Sequence, residues 1–154
     1  MNTDLQIINA LDYEGGIQQT IAFYHAAWGN DSNFAFFEDA FLHSTKTGTG
    51  LPRFFVLLKK GKIIGCCGLI TNDLNSRQDL FPWIAGVFVA EEERGNGFGN
   101  LMMEHAQAEA RKIGYDRLYL TTDLDGYYER YGWQRMEDCY SFSGDAWKIY
   151  KKQL

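Results

Sequence analysis

Over the first third of the chain, apolar positions recur every three or four residues. Ile17, Ile21, Tyr24 and Trp28 share one helical stripe, and Gly29-Asn30 interrupts it. Ser32 is placed as an N-cap for a second stripe through Phe34, Phe37, Phe41 and Leu42. Leu5–Ile8 reads as a short strand ahead of them, and Thr45–Gly50 as a polar, glycine-containing loop behind. From Arg53 the period changes. Arg53–Lys59 and Lys62–Thr71, rich in Phe, Val, Ile and Leu, flank Lys60-Gly61 as the arms of a β-hairpin. Trp83–Val89 is almost wholly apolar and predicts a strand buried on both faces. Gly97–Ile113 carries the clearest helical stripe, through Phe98, Met102, Ala106, Ala110 and Ile113, and Gly114 supplies its stop. Arg117–Thr121 predicts a strand and Asp123–Tyr131 a short helix ended by Gly132. Trp133–Phe142 and Ala146–Lys151 predict two closing strands.

This order predicts a mixed α/β (α+β) sheet rather than a doubly wound one. The unit from Trp83 to Thr121 is a strand–helix–strand crossover with its two strands parallel, and the rest is antiparallel. No repeat, low-complexity tract or linker divides the sequence, so residues 1–154 are expected to form one domain. That length suffices to bury a core without staples.

Charge and cysteine content narrow the partners. A net charge of -5 gives little support to a chain-wide grip on nucleic acid. No apolar run approaches the roughly 20 residues needed to span a bilayer. The segment Met1–Ala10 carries Asp4 and lacks the basic-then-apolar order of a signal peptide. Cys66, Cys67 and Cys139 have neither metal-site nor disulfide spacing, which fits reduced, buried thiols in a cytoplasmic protein. His25, His43 and His105 lie far apart; His105, beside the apolar stripe, reads as a packed histidine.

The most informative stretch runs from Val87 to Asn100. An apolar strand enters a turn containing Arg94, Gly95, Gly97 and Gly99, and the turn opens the long amphipathic helix. Backbone N–H groups at a helix start lack internal partners, and the helix dipole favours an anion there. Glycine lets the main chain approach a ligand closely. A Walker A loop fails, because Gly99 is followed by Asn100-Leu101. A dinucleotide fingerprint fails too, because its third glycine would fall on Asn100 or Met102.

What remains is Arg-x-x-Gly-x-Gly at Arg94, Gly97 and Gly99. It resembles the acyl-CoA signature of the GNAT superfamily of N-acetyltransferases, Gln/Arg-x-x-Gly-x-Gly/Ala between a buried strand and a long helix. Tyr127-Tyr128-Glu129-Arg130-Tyr131-Gly132-Trp133 is similar to that family's aromatic-Tyr-Glu-Lys/Arg-x-Gly-aromatic segment, at the family's spacing. The resemblance covers about residues 53 to 142, and the N-terminal helices only in order and length.

The resemblance implies a single-domain fold whose central sheet is splayed between its fourth and fifth strands and flanked by helices. It implies acetyl-CoA as co-substrate and no metal. The amides of Gly95, Asn96, Gly97, Phe98, Gly99 and Asn100 would take the diphosphate beside Arg94, with Tyr131 also at the cofactor. Val87, Phe88 and Val89 would pair with the pantetheine, and an N–H near Phe88 or Val89 would polarise the thioester carbonyl. Tyr128 matches the general acid, a phenol able to protonate the leaving thiolate. The acceptor would be a primary amine attacking directly, with a small cationic amine favoured. Trp28, Asp79 and Trp83 are candidate acceptor-side residues.

The sequence departs from many relatives in having no acid within Trp83–Val89. Asp79 and Asp73 are the two carboxylates left to hold the amine. Trp28, Phe34, Phe36, Phe37 and Phe41 are available to wall its pocket, although helical spacing assigns at least two of them to the core. Two other readings stay open at this stage. One is an acyl-CoA-binding or sensing module without turnover; the other is acetylation of a protein N-terminus or lysine. A monomer and a homodimer are equally compatible.

Overall fold

The structure is a computed structural model that describes residues 4–154. Residues 1–3, the head of the segment read as lacking a signal peptide, lie outside the described residues. Among the described residues, seven strands form one sheet: β1 (Leu5–Asn9), β2 (Arg53–Lys59), β3 (Lys62–Ile70), β4 (Trp83–Val89), β5 (Arg117–Thr122), β6 (Gln134–Tyr140) and β7 (Ala146–Gln153). The spatial order is β1-β2-β3-β4-β5-β7-β6. β4 and β5 are parallel and every other pair is antiparallel.

Helices cover both faces. α3 (Phe98–Ile113) buries Met102, Met103, Ala106 and Ala110 on one face, against Phe55, Leu57, Ile64 and Leu118. α1 (Ile17–Trp28) and α2 (Phe34–Leu42) bury Ile21, Tyr24 and Phe41 on the other, against Phe54, Val56 and Cys66. β2 therefore feeds both cores, its even residues to one face and its odd residues to the other, as a strand's two-residue period requires. Trp83, Tyr119, Cys139 and Ile149 form a third cluster, near where β4 and β5 meet. No helix among the described residues is long and apolar enough to cross a membrane. Cys66, Cys67 and Cys139 are free and buried.

Three local expectations are corrected. Ser32 does not cap α2. The N-cap residue is Asn33, whose side-chain oxygen accepts the Asn30 amide, while the Asn30 side chain accepts from Ser32. The stretch Asp123–Tyr131 holds only a short 3-10 turn, Tyr128–Tyr131, ended by Gly132 in the left-handed region at φ 85°. Finally, β4 is buried only over Trp83–Ala85, and Gly86–Val89 are half-exposed. Its apolar run reflects a strand that lines a cleft over half its length.

Candidate active site

The cleft starts where β4 and β5 part. They share one register pair, Trp83 with Tyr119, and the edge of β4 beyond it faces no strand. On its other edge, β4 pairs Phe88 with Cys66 and Ala85 with Gly68, so Gly86 and Val87 together oppose Cys67. That extra residue is a β-bulge, which bends the strand and re-aims its backbone. Only glycine fits there. Gly86 has φ +63°, and a Cβ on it would lie 1.7 Å from the Tyr24 hydroxyl. Tyr24 in turn donates that hydroxyl to the Ala85 carbonyl at 3.3 Å.

β4 runs into the glycine turn. Gly95 and Gly97 have positive φ, and a Cβ built on Gly95, Gly97 or Gly99 meets no atom within 4 Å. Leu101 is the first amide of the α3 head to find an acceptor, the Gly97 carbonyl at 3.1 Å. Among the described residues, the amides from Gly95 to Asn100 have no acceptor within the chain. Asn96 steadies the turn by donating its amide to the Glu93 carbonyl at 2.9 Å, and Lys59 pairs with Glu93 at 2.8 Å. Arg94 folds back over the strand. Its Nε donates to the Val89 carbonyl at 2.9 Å and its guanidinium lies 5.3 Å from the Phe88 ring centre. The charge beside the loop is thus anchored, and it occupies one carbonyl of the strand expected to pair with a pantetheine.

The cleft has a volume of about 750 Å3 and reaches the α1/α2 side of the sheet. It is lined by Gly86 and Val87 of β4, by Thr121 and Thr122 of β5, by Tyr128, and by Asp73 and Leu74 from the loop that follows β3. Asp73 accepts a hydrogen bond from the Thr121 hydroxyl at 3.2 Å. Burial raises its carboxyl above the ordinary carboxylate value, with the Thr121 hydroxyl opposing. Tyr128 packs against Tyr127, Tyr150 and Trp133 with ring centres 4.9, 5.8 and 6.3 Å away. Burial first, and then the Tyr127 phenol, raise its hydroxyl above the usual phenol value, while the Thr122 hydroxyl pulls it down. The phenol therefore carries its proton at neutral pH. The turn bearing it is pinned by the Glu129 carboxylate, which accepts the Tyr150 hydroxyl at 2.6 Å.

The fold gathers some of the sequence candidates and leaves others apart. Val87, Trp28 and Tyr128 line the cleft. Phe88 lies on the α1 face, edge-on to Phe23 and Trp28, and Val89 packs toward α3. Tyr131 is 38% exposed beside Tyr127. Asp79 does not reach the cleft. It lies in a loop where Arg77 binds both of its oxygens and also bridges to Glu137. Trp83 does not reach it either, being fully buried with its indole N–H donated to the Leu80 carbonyl at 2.7 Å. Of the five N-terminal aromatics, Phe36 and Phe37 join Trp28 in the wall. Phe41 stacks on Phe54 in the core at 4.1 Å, and Phe34 sits edge-on to His25. His105 packs edge-on to Phe55 at 4.9 Å. Sequence reasoning missed Gly86, Tyr24, Leu74, Thr121 and Trp147. Only Gly86 left a signal, a glycine inside an apolar strand, which marks a bulge or a close approach.

No group of three or more His, Cys, Asp or Glu side chains among the described residues is arranged to hold a metal. Burial raises the Cys66 thiol well above its ordinary value and pushes Cys67 up to about 12, so neither offers a thiolate nucleophile near neutral pH.

Known proteins are similar to this chain in sequence and in fold. An uncharacterized N-acetyltransferase of Chlorobaculum tepidum is 30% identical over 95 residues, which are 62% of this chain and 57% of that protein. The chain thus matches little more than half the length of that relative. A GNAT family acetyltransferase of Elizabethkingia anophelis, solved with acetyl-CoA bound, superposes with a TM-score of 0.65 at 14% identity over 99% of both chains. A structure of the same family from Desulfovibrio desulfuricans gives 0.69 at 14% identity, over 97% of this chain and 98% of the other. At such identities these structures share the fold. The sequence model of the acetyltransferase (GNAT) family matches residues 17–133, from the start of α1 past the Tyr128 turn. By that match, and by a sheet that opens at its one parallel pair beside an uncapped glycine turn, the chain belongs to the GNAT acetyltransferase family.

Proposed function

We propose that the chain moves an acetyl group from acetyl-CoA to a primary amine by direct attack in a ternary complex, with a small cationic amine as acceptor. The observation that carries this reading is the run of acceptor-free amides from Gly95 to Asn100 at the end of the strand that borders the cleft. Three glycines with open space where a side chain would stand suit a bulky anion such as a diphosphate. Acetyl-CoA, when bound, supplies an activated acetyl thioester. The free edge of β4 at Val87 and Phe88 offers main-chain groups to the pantetheine arm. An N–H at Phe88 or Val89 then donates to the carbonyl oxygen as charge develops there. The ammonium first loses a proton to solvent. As the neutral nitrogen bonds the carbonyl carbon and the carbon–sulfur bond breaks, Tyr128, protonated at neutral pH, gives its phenolic proton to the departing sulfur, and the proton shed by the nitrogen restores the phenol through solvent. The buried thiols take no part, which favours direct attack over an enzyme-bound acyl group.

The reading of a sensing module without turnover drew its support from the missing acid on β4. Asp73 at the cleft supplies a carboxylate from the loop that follows β3 instead. Thiol release from acetyl-CoA over a panel of primary amines, with CoA affinity measured by calorimetry, tests the proposal. Amine-dependent release and CoA binding are expected. CoA binding with no release above background for any amine would leave a sensing module, and absence of CoA binding would remove the enzyme reading.

A further inference from the structure

Asp73 is a half-buried carboxylate, and among the described residues the one side chain that hydrogen-bonds it is Thr121, through its hydroxyl. Charged groups withdrawn from water are ordinarily paired. Yet the cleft lining contains two carboxylates, Asp73 and the exposed Asp123, and no lysine, arginine or histidine. None of the lining side chains offers Asp73 a counter-charge.

The surroundings of that carboxylate are aromatic. Trp28, Phe36, Phe37 and Trp147 border the cleft, and Trp28 and Phe36 remain 51% and 55% exposed. Large apolar faces that the fold leaves open at a concave site favour an apolar ligand. Leu74, adjacent to Asp73, adds to this rim. It holds a left-handed backbone at φ +53°, strained for a side chain of its kind, and is 65% exposed. The one carboxamide in the lining, Asn72, is already engaged, accepting the Asn75 amide at 2.9 Å and donating to the Arg77 carbonyl at 3.3 Å. It is not free for the polar main chain of a peptide, and the other carboxylate of the lining, Asp123, is exposed, where water and salt weaken its hold on a second ammonium.

Resting on the acetyltransferase reading, we propose that the acceptor is a primary monoamine carried on an aromatic body, its ammonium held at Asp73 and its ring against Trp28, Phe36 and Phe37.

The test uses the full chain, acetyl-CoA and four probes: 2-phenylethylamine, ethylamine, 1,4-diaminobutane and a short peptide with a free N-terminus. Burying one phenyl ring should make kcat/KM for 2-phenylethylamine about 10- to 100-fold higher than for ethylamine. It should also exceed the values for the diamine and the peptide. Asp73→Asn should raise the KM for 2-phenylethylamine at least about 10-fold while leaving the CoA Kd within about twofold. Trp28→Ala, at a half-exposed position, should shrink the phenyl-over-ethyl ratio. Preference for ethylamine, the diamine or the peptide would overturn the inference, as would an Asp73→Asn protein with unchanged KM. Calorimetry of 2-phenylethylamine against CoA-loaded protein separates the two levels. Absence of amine binding with CoA in place overturns the inference alone, whereas absence of CoA binding overturns the acetyltransferase reading beneath it.

Discussion

A carboxylate that gives up water on folding and gains only a hydroxyl partner weighs against the folded state. Asp73 binds its proton more tightly in the folded chain than in the unfolded one, because burial outweighs the Thr121 hydrogen bond. With that sign, stability is lost as pH rises out of the ordinary carboxylate range, and the penalty is absent in more acidic solution. Asp73→Asn removes the charge and leaves an oxygen for Thr121. It is expected to raise Tm near pH 7, with the gain fading toward about pH 3; calorimetric scans across that range check it, and a lower Tm near pH 7 contradicts it. Tyr128 gives a kinetic counterpart. Tyr128→Phe should lower kcat by about 10²- to 10⁴-fold while changing the KM for acetyl-CoA little, since a proton given in the transition state is what is lost. Equal losses in CoA affinity and rate would make Tyr128 a packing residue. At Gly86, a methyl group meets the Tyr24 hydroxyl and a left-handed backbone together. Gly86→Ala should destabilise by about 1–3 kcal/mol, and Tyr24→Phe in the same chain should restore part of the loss, as denaturant midpoints would show.

Among the elements, those bounded by strong periodicity and a glycine stop were legible beforehand. α3 has both, Met102, Ala106 and Ala110 on one stripe and Gly114 at φ 112° behind it. The β2–β3 hairpin has alternation and Lys60-Gly61 at positive φ. The element around Tyr128 is a single 3-10 turn rather than a helix from Asp123, and the Tyr128 ring packs against Trp133 and Tyr150. β4 was half right. Its apolar composition could not distinguish residues buried between layers from residues exposed along a cleft wall. The turn ahead of α3 carries the element-scale prediction. Gly97 has φ +76° with open space around it, so Gly97→Val both strains the turn and projects a side chain where a diphosphate would lie. CoA Kd should rise at least about tenfold, while the far-ultraviolet circular dichroism stays that of the parent. Unchanged CoA affinity would place the diphosphate elsewhere.

For the whole molecule, sequence order and element type were enough to propose a mixed sheet with one parallel pair, and the strand order bears that out. The acceptor half of the cleft was far less legible. Trp28 comes from α1, Phe36 and Phe37 from α2, Asp73 from the loop that follows β3, Thr121 from β5 and Trp147 from β7. No local spacing links these positions; only a sheet that places β5 beside β7 brings them around one opening. Asp79 is equivalent to Asp73 by sequence for the same reason, and Arg77 engages it in a loop that periodicity does not describe. The glycine turn was readable because all of its chemistry lies within consecutive residues.

In the proposed function, the main-chain amides at the head of α3 receive the diphosphate of CoA. The direct measurement is a titration of 15N-labelled protein with CoA, followed by amide chemical shifts. The resonances of Gly95 to Asn100 are expected to move the most, and pantetheine, which lacks the diphosphate, is expected to leave them nearly still. Saturation with CoA while those six amides keep their free positions would contradict the account.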